Sequence, residues 1–303
     1  MGTSAKAQNA YFALRVASAM CFIGHGCFGI IGKAIWCNYF AVFGIGHAAA
    51  IKLMPVVGTI DILLGIVIIL YPIRIVFMWL VCWGMLTAAL RPLSGEPFAE
   101  FIERAGNYGA PLSLLLLYEH GWHPQYWFGK LNMPLLTPQK ELNKVTLCLK
   151  IAAALLLTGH GLLNIAGKAS LLSQYNHLGF AHPHQVAILA GLLELLMAAS
   201  VLIKPLRLLL LITLIWKMTT ELFYPHYEIF EWIERGGSYG VLLALWFTTA
   251  KHMVNFNIHT RIANADPGFT NHNFKSNEKE HTYYNRLITY NVKNIFTGLR
   301  SHT

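Results

Sequence analysis

A chain of 303 residues that is 55% hydrophobic and only 12% charged carries about half the charged fraction of a soluble domain, about 25%. With a mean hydropathy of +0.47, this excludes an ordinary soluble globule and points to a polytopic membrane protein. The formal charge of +9 is no signature of nucleic acid, because the basic residues lie between apolar runs and in the tail, where membrane orientation accounts for them.

Eight apolar runs follow in chain order, at 11–32, 49–71, 74–91, 107–118, 146–166, 185–204, 206–223 and 236–250. A spanning helix takes about 20 residues, so the short fourth and eighth runs call for extension by the stretches before them. Pro72 and Pro205 mark matching turns. The first run is read as a retained helix and not as a cleaved signal, because its motif recurs deep in the chain.

That recurrence organises the sequence. Residues 24–33 read GHGCFGIIGK and 159–168 read GHGLLNIAGK; residues 102–109 read IERAGNYG and 233–240 read IERGGSYG. Two motifs at a shared offset of roughly 130–135 residues indicate a tandem duplication. The expected fold is all-α, with eight transmembrane helices forming two tandem four-helix bundles. The repeats are 1–123 and 146–253, joined by a linker at 124–145 and followed by a polar basic tail at 254–303. An even number of crossings inserts both repeats the same way up, which predicts a pseudo-two-fold axis along the membrane normal. The N-terminus, the even-numbered connections and the tail hold about 16 of the 23 Lys and Arg, which places both termini in the cytoplasm or the matrix. A bacterial-type inner membrane or the mitochondrial inner membrane is the expected location.

The candidate chemistry lies where the repeats agree. His25 and His160 each sit between two glycines late in an apolar run, and an ionisable residue inside a span is a functional candidate by default. Three readings stay open: interhelical hydrogen bonding, a quinone or proton-coupled redox site, and haem ligation. Asp61 and Glu194 match when the repeats are registered on the prolines, and each is expected to pair with the His of its own repeat as a proton relay. Trp83 and Trp216 also match and wall either a core or an apolar pocket. Tyr108 and Tyr239, with the Glu-Arg pairs at 103–104 and 234–235, are read as structural anchors or as the rim of an outward-facing pocket. The Glu-Arg residues are expected to find different partners, across the repeat interface.

Lys33 and Lys168 end the string G-x5-G-K, which has one intervening residue too many for a phosphate loop and follows no strand. They are expected to snorkel to the outer interface, with capture of an anionic headgroup or ligand as the second reading. His47, His182, His184 and His226 lack tight ligand spacing, so no metal is assigned. Of five cysteines, Cys37 is placed in an outward loop as the one reactive thiol, and the others are read as small buried hydrophobes.

A four-helix membrane unit with a Gly-rich polar first helix, a G-x-x-D/E second helix and a terminal Glu-Arg-Gly segment resembles the DoxX/DoxD-like superfamily. The carrying residues are Gly24–Lys33 with Gly58–Asp61, and Gly159–Lys168 with Gly191–Glu194. The resemblance implies a membrane subunit of a quinone-linked redox system, or an accessory subunit without chemistry of its own. Membrane lipids and other subunits of a membrane complex are the expected partners, with the tail, which the superfamily's single unit lacks, as a contact. A carrier for a small anion or lipid, using Lys33 and Lys168, is the third class.

Overall fold

The computed structural model describes residues 3–118, 124–225 and 228–249, and among these it is helical with no strand. The expected tail at 254–303 lies outside the described residues. In the first half α1 (Thr3–Ile31), the short α2 (Trp36–Ala41), α3 (His47–Leu70) and α4 (Arg74–Leu93) precede a broken helix, α5 (Ala99–Glu103) and α6 (Ala105–Leu115). The second half repeats the order with α7 (Gln139–Ile165), α8 (Ala169–His177), α9 (Pro183–Ile203), α10 (Arg207–Leu222), α11 (Ile229–Glu234) and α12 (Gly236–Thr248).

Among the described residues, five helices are long and apolar enough to cross a membrane: α1, α3, α4, α7 and α9. The outer faces of α3 and α9 carry exposed Val56, Ile60 and Leu63, and exposed Leu189, Leu192 and Leu196. An apolar face of this extent suits lipid and not water. α10 has 16 residues, about 24 Å at helical rise, short of the roughly 30 Å hydrocarbon core. The fourth and eighth runs do lengthen backwards, but not as continuous helices. Each breaks at the arginine of its Glu-Arg pair, where Arg104 has ψ 14° and Arg235 ψ 2°.

The repeated Gly-Lys is a helix stop. Gly32 and Gly167 take φ of +76° and +68°, a conformation that glycine adopts without a Cβ penalty. The following amides of Lys33 and Lys168 return to the carbonyls of Phe28 and Leu163, at 3.2 and 3.0 Å. This is the six-to-one closure of a glycine C-cap.

The halves interlock. α1 packs on α3 of its own half but also on α11 and α12; α7 packs on α9 and on α5 and α6. The GHG motif explains this. A Cβ on Gly24 would collide with the backbone at Glu234, and one on Gly159 with the backbone at Glu103. The second glycine faces the other way, Gly26 against Gly58 and Gly161 against Gly191. Each GHG is thus pinched between a helix of its own half and the break of the other. Gly106 of α6 and Gly237 of α12 meet backbone to backbone, so two matched positions touch each other.

The expected linker is partly helix, since α7 starts at Gln139. Its earlier part is docked: the Leu131 amide donates to Pro72 O at 2.8 Å, and the Tyr11 hydroxyl donates to Leu131 O at 2.8 Å. Cys37 lies in α2 and is 8% exposed, so the loop thiol expected there is a buried helical one. Cys82 is instead the exposed cysteine.

Candidate functional site

Each half builds the same triad. In the first, His25 Nδ1 stands 2.7 Å from Asp61 Oδ2, and Trp83 Nε1 donates to the same oxygen at 3.4 Å. In the second, His160 Nδ1 stands 2.5 Å from Glu194 Oε2, and Trp216 Nε1 donates to Oε1 at 3.2 Å. A buried carboxylate needs such partners, because hydrocarbon supplies none. The acid holds Nδ1 and thereby sets the direction of Nε2.

The surroundings of the two triads differ. His25 stacks on Trp36 with centroids 4.4 Å apart and opens on a cavity of about 160 Å³. Its apolar wall includes Trp36, Phe40, Val57, Trp83, Leu86 and Leu90. His25, Tyr39, Thr87, Arg91, Arg104, Asn107 and Glu234 are its polar lining residues. Glu234 belongs to the other half and arrives through the α1–α11 contact at Gly24. It is 6% exposed, and no hydrogen bond or ion pair reaches its carboxylate among the described residues. Burial pushes the Tyr39 phenol well up, Arg91 opposing and the bond to Glu96 adding to the rise. The phenol therefore stays protonated and donates to Glu96 Oε1 at 2.5 Å.

Charged side chains stand in front of His160. Lys217 Nζ lies 2.7 Å from Glu221 Oε1 and 3.8 Å from Glu194, and Glu221 in turn lies 3.8 Å from His160 Nε2. Asn164 donates to Glu194 at 3.3 Å and accepts the Tyr175 hydroxyl at 2.8 Å. The first-half residues matching Asn164, Tyr175, Lys217 and Glu221 are Gly29, Phe40, Gly84 and Ala88. The second site is filled by side chains that the first lacks.

Ion pairs tie the halves together around both sites. Arg235 Nη1 reaches Glu103 at 2.9 Å, and its Nη2 reaches Glu231 at 3.3 Å. Arg104 Nη1 reaches Glu100 at 2.7 Å and Glu103 at 2.9 Å. The Glu-Arg residues do bond across the halves, with Glu103 taking both arginines and Glu234 neither. Glu100 is also reached by Lys168 at 2.8 Å and Arg91 at 3.3 Å.

The lysines correct the expectation. Lys33 pairs with Glu231 at 2.9 Å and Lys168 with Glu100 at 2.8 Å, each in the other half. They neither snorkel freely nor offer an unpaired charge to an anion, because the glycine stop turns each toward a carboxylate. Tyr108 and Tyr239 also stand apart from the cavity. Tyr108 stacks on Phe101 at 5.8 Å, and Tyr239 borders a lateral groove of about 440 Å³ between α1, α10 and α12. Trp216 belongs to the closed triad.

Glu103, His160 and Glu221 come close enough to hold a metal ion. Their carboxylates are already neutralised by Arg104, Arg235 and Lys217, so a divalent cation would enter against several fixed positive charges. A haem clamped between the two histidines would need His160 Nε2, and Glu221 lies 3.8 Å from that nitrogen. His226 lies outside the described residues.

Sequence reasoning paired each His with its acid and read Glu234 as an anchor or a pocket rim, but it did not name Trp36, Arg91 or Asn107 as cavity residues. The failed match at Gly84/Lys217 and Ala88/Glu221 was the available signal. Comparison with protein-family models, curated proteins and solved structures returns no match for this chain.

Proposed function

We propose that the chain is an integral membrane subunit of a quinone-linked redox system, and that its first-half cavity holds the ring of a quinone-type molecule beside His25. One observation carries the reading: an imidazole held at Nδ1 by Asp61 lines an aromatic-walled cavity of about 160 Å³. A cavity of about 150 Å³ admits one benzene ring. Trp36 and Trp83 offer faces for stacking. Asp61 steadies an imidazolium when Nε2 takes a proton from a ring oxygen, so the pair exchanges protons as a general base backed by an orienting acid. Side chains of this kind supply no electrons, which come from a cofactor of a partner subunit.

The membrane arrangement belongs to the same proposal. Five long apolar helices, with α10 and the two broken helices, make eight crossings in two four-helix halves of like orientation. The meeting of Gly106 with Gly237 supports a pseudo-two-fold axis along the membrane normal. The distribution of Lys and Arg supports termini on the cytoplasmic or matrix side of a bacterial-type or mitochondrial inner membrane. The resemblance to the DoxX/DoxD-like superfamily agrees with a redox subunit among other subunits, with the basic tail as a contact.

The test is extraction of lipids from the chain purified in mild detergent, with quinone quantified against protein. Retained quinone that is lost in His25→Ala and kept in His160→Ala supports the reading. If no quinone is retained and short-chain ubiquinone fails to quench tryptophan fluorescence, the reading is wrong. A non-catalytic structural or assembly subunit is the second reading. It is favoured by the second half, where a conserved-looking triad has become an ion cluster that cross-links helices; stoichiometric partners without quinone support it.

A further inference from the structure

The two triads share their geometry, yet their fronts have diverged in opposite senses. Before His160 stand Lys217 and Glu221, each 2% exposed. Before His25 stand Gly84 and Ala88 at the matching places, and a cavity opens. The acid at each repeat break has diverged as well. Glu103 binds both Arg104 and Arg235, at 2.9 Å each. Glu234 lines the cavity, 6% exposed, with no hydrogen-bond or ion-pair partner among the described residues. Its oxygens are not sealed in the interior but border the cavity, so a ligand there can donate to them.

We propose that the chain carries one ligand site and not two, completed from the opposite half by Glu234, and that this site selects a neutral ring bearing a hydroxyl donor. The inference rests on the reading of the first-half cavity as a ring-binding site. The chemistry of the wall decides the class. Asp61 holds His25 at Nδ1, and the carboxylate of Glu234, which lines the cavity, is an acceptor. A ligand without a donor leaves that acceptor unsatisfied. Arg91 and Arg104 at the same wall disfavour an ammonium, while Asp61 and Glu234 disfavour an anion. A phenol-type or hydroquinone-type hydroxyl meets all of these conditions, and its proton is held between the ring oxygen and the Glu234 carboxylate.

The experiment titrates the full chain, in lipid nanodiscs and without oxygen, with trimethylhydroquinone, trimethylbenzoquinone and the dimethyl ether of the hydroquinone, by calorimetry. The expected result is one equivalent of hydroquinone per chain. It should bind about tenfold or more tightly than the ether, as the loss of a hydrogen bond to a charged group implies. Glu234→Gln should reduce that preference severalfold while the ether binds as before. The comparison of ligands on the unaltered chain decides the matter even if the variant does not fold. Two equivalents per chain, or equal affinity for hydroquinone and ether, overturns this inference and leaves the ring-binding reading intact. Failure of all three ligands to bind overturns both.

Discussion

Arg235 is the side chain on which the union of the halves most depends, and Arg235→Met tests that. Its guanidinium is 6% exposed and reaches Glu103 at 2.9 Å, Glu231 at 3.3 Å and Glu221 at 3.6 Å. Removing one member of a buried ion pair costs about 3–5 kcal/mol, because a buried charge is left uncompensated. Glu103 keeps Arg104 and Glu221 keeps Lys217, so the lower part of that range applies, about 3 kcal/mol. Lys33→Met is the internal comparison. Lys33 makes one pair, its side chain is 29% exposed, and Glu231 retains Arg235, so its loss costs about 1 kcal/mol or less. The assay is reversible unfolding by SDS in mixed micelles, followed by tryptophan fluorescence, for both variants, for Glu103→Gln alone and for Glu103→Gln with Arg235→Met. The double variant should be less unstable than the sum of the single ones, the coupling expected of partners in contact. An Arg235→Met chain no less stable than Lys33→Met would refute the claim that buried pairs bind the halves.

Further outcomes follow from the same contacts. Gly106→Ala should destabilise by about 1–3 kcal/mol through overpacking, since its Cβ meets the Ser238 amide nitrogen at 2.6 Å. Gly46→Ala, with nothing within 4 Å, should leave the SDS midpoint unchanged. His160→Ala should lower stability by about 1–3 kcal/mol, because Glu194 loses a buried partner, and leave ring binding unchanged; His25→Ala should abolish that binding, as fluorescence titration will report.

Much of the fold can be read from the residues, for physical reasons. Continuous apolar runs, Pro72 and Pro205 locate the long helices closely, since hydrocarbon demands length and proline ends helices. The pairing of His25 with Asp61 and of His160 with Glu194 is legible because both members recur at nearly one offset. What a repeat cannot reveal is which copy a residue meets. Lys33 and Glu231 both look like outer-face charges, and only the packing of α1 on α11 makes them partners. Glu234 reads as one half of a Glu-Arg pair. Its isolation emerges only when Arg235 turns to Glu103. The break at Arg104 was hidden because Ala105 continues a helical pattern and no proline marks the turn, whereas Gly236 and Gly237 after Arg235 were a signal of the second break.

The reciprocal seating of α1 on α11–α12 and of α7 on α5–α6 has an evolutionary reading. A single ancestral unit with this packing would lack a seat for its first helix, and two identical molecules would each lend the missing piece to the other. Fusion of such an obligate homodimer removes the constraint that both copies mutate together. One copy is then free to become a brace while its twin keeps an open chamber, a division of labour that a dimer encoded by one sequence cannot reach.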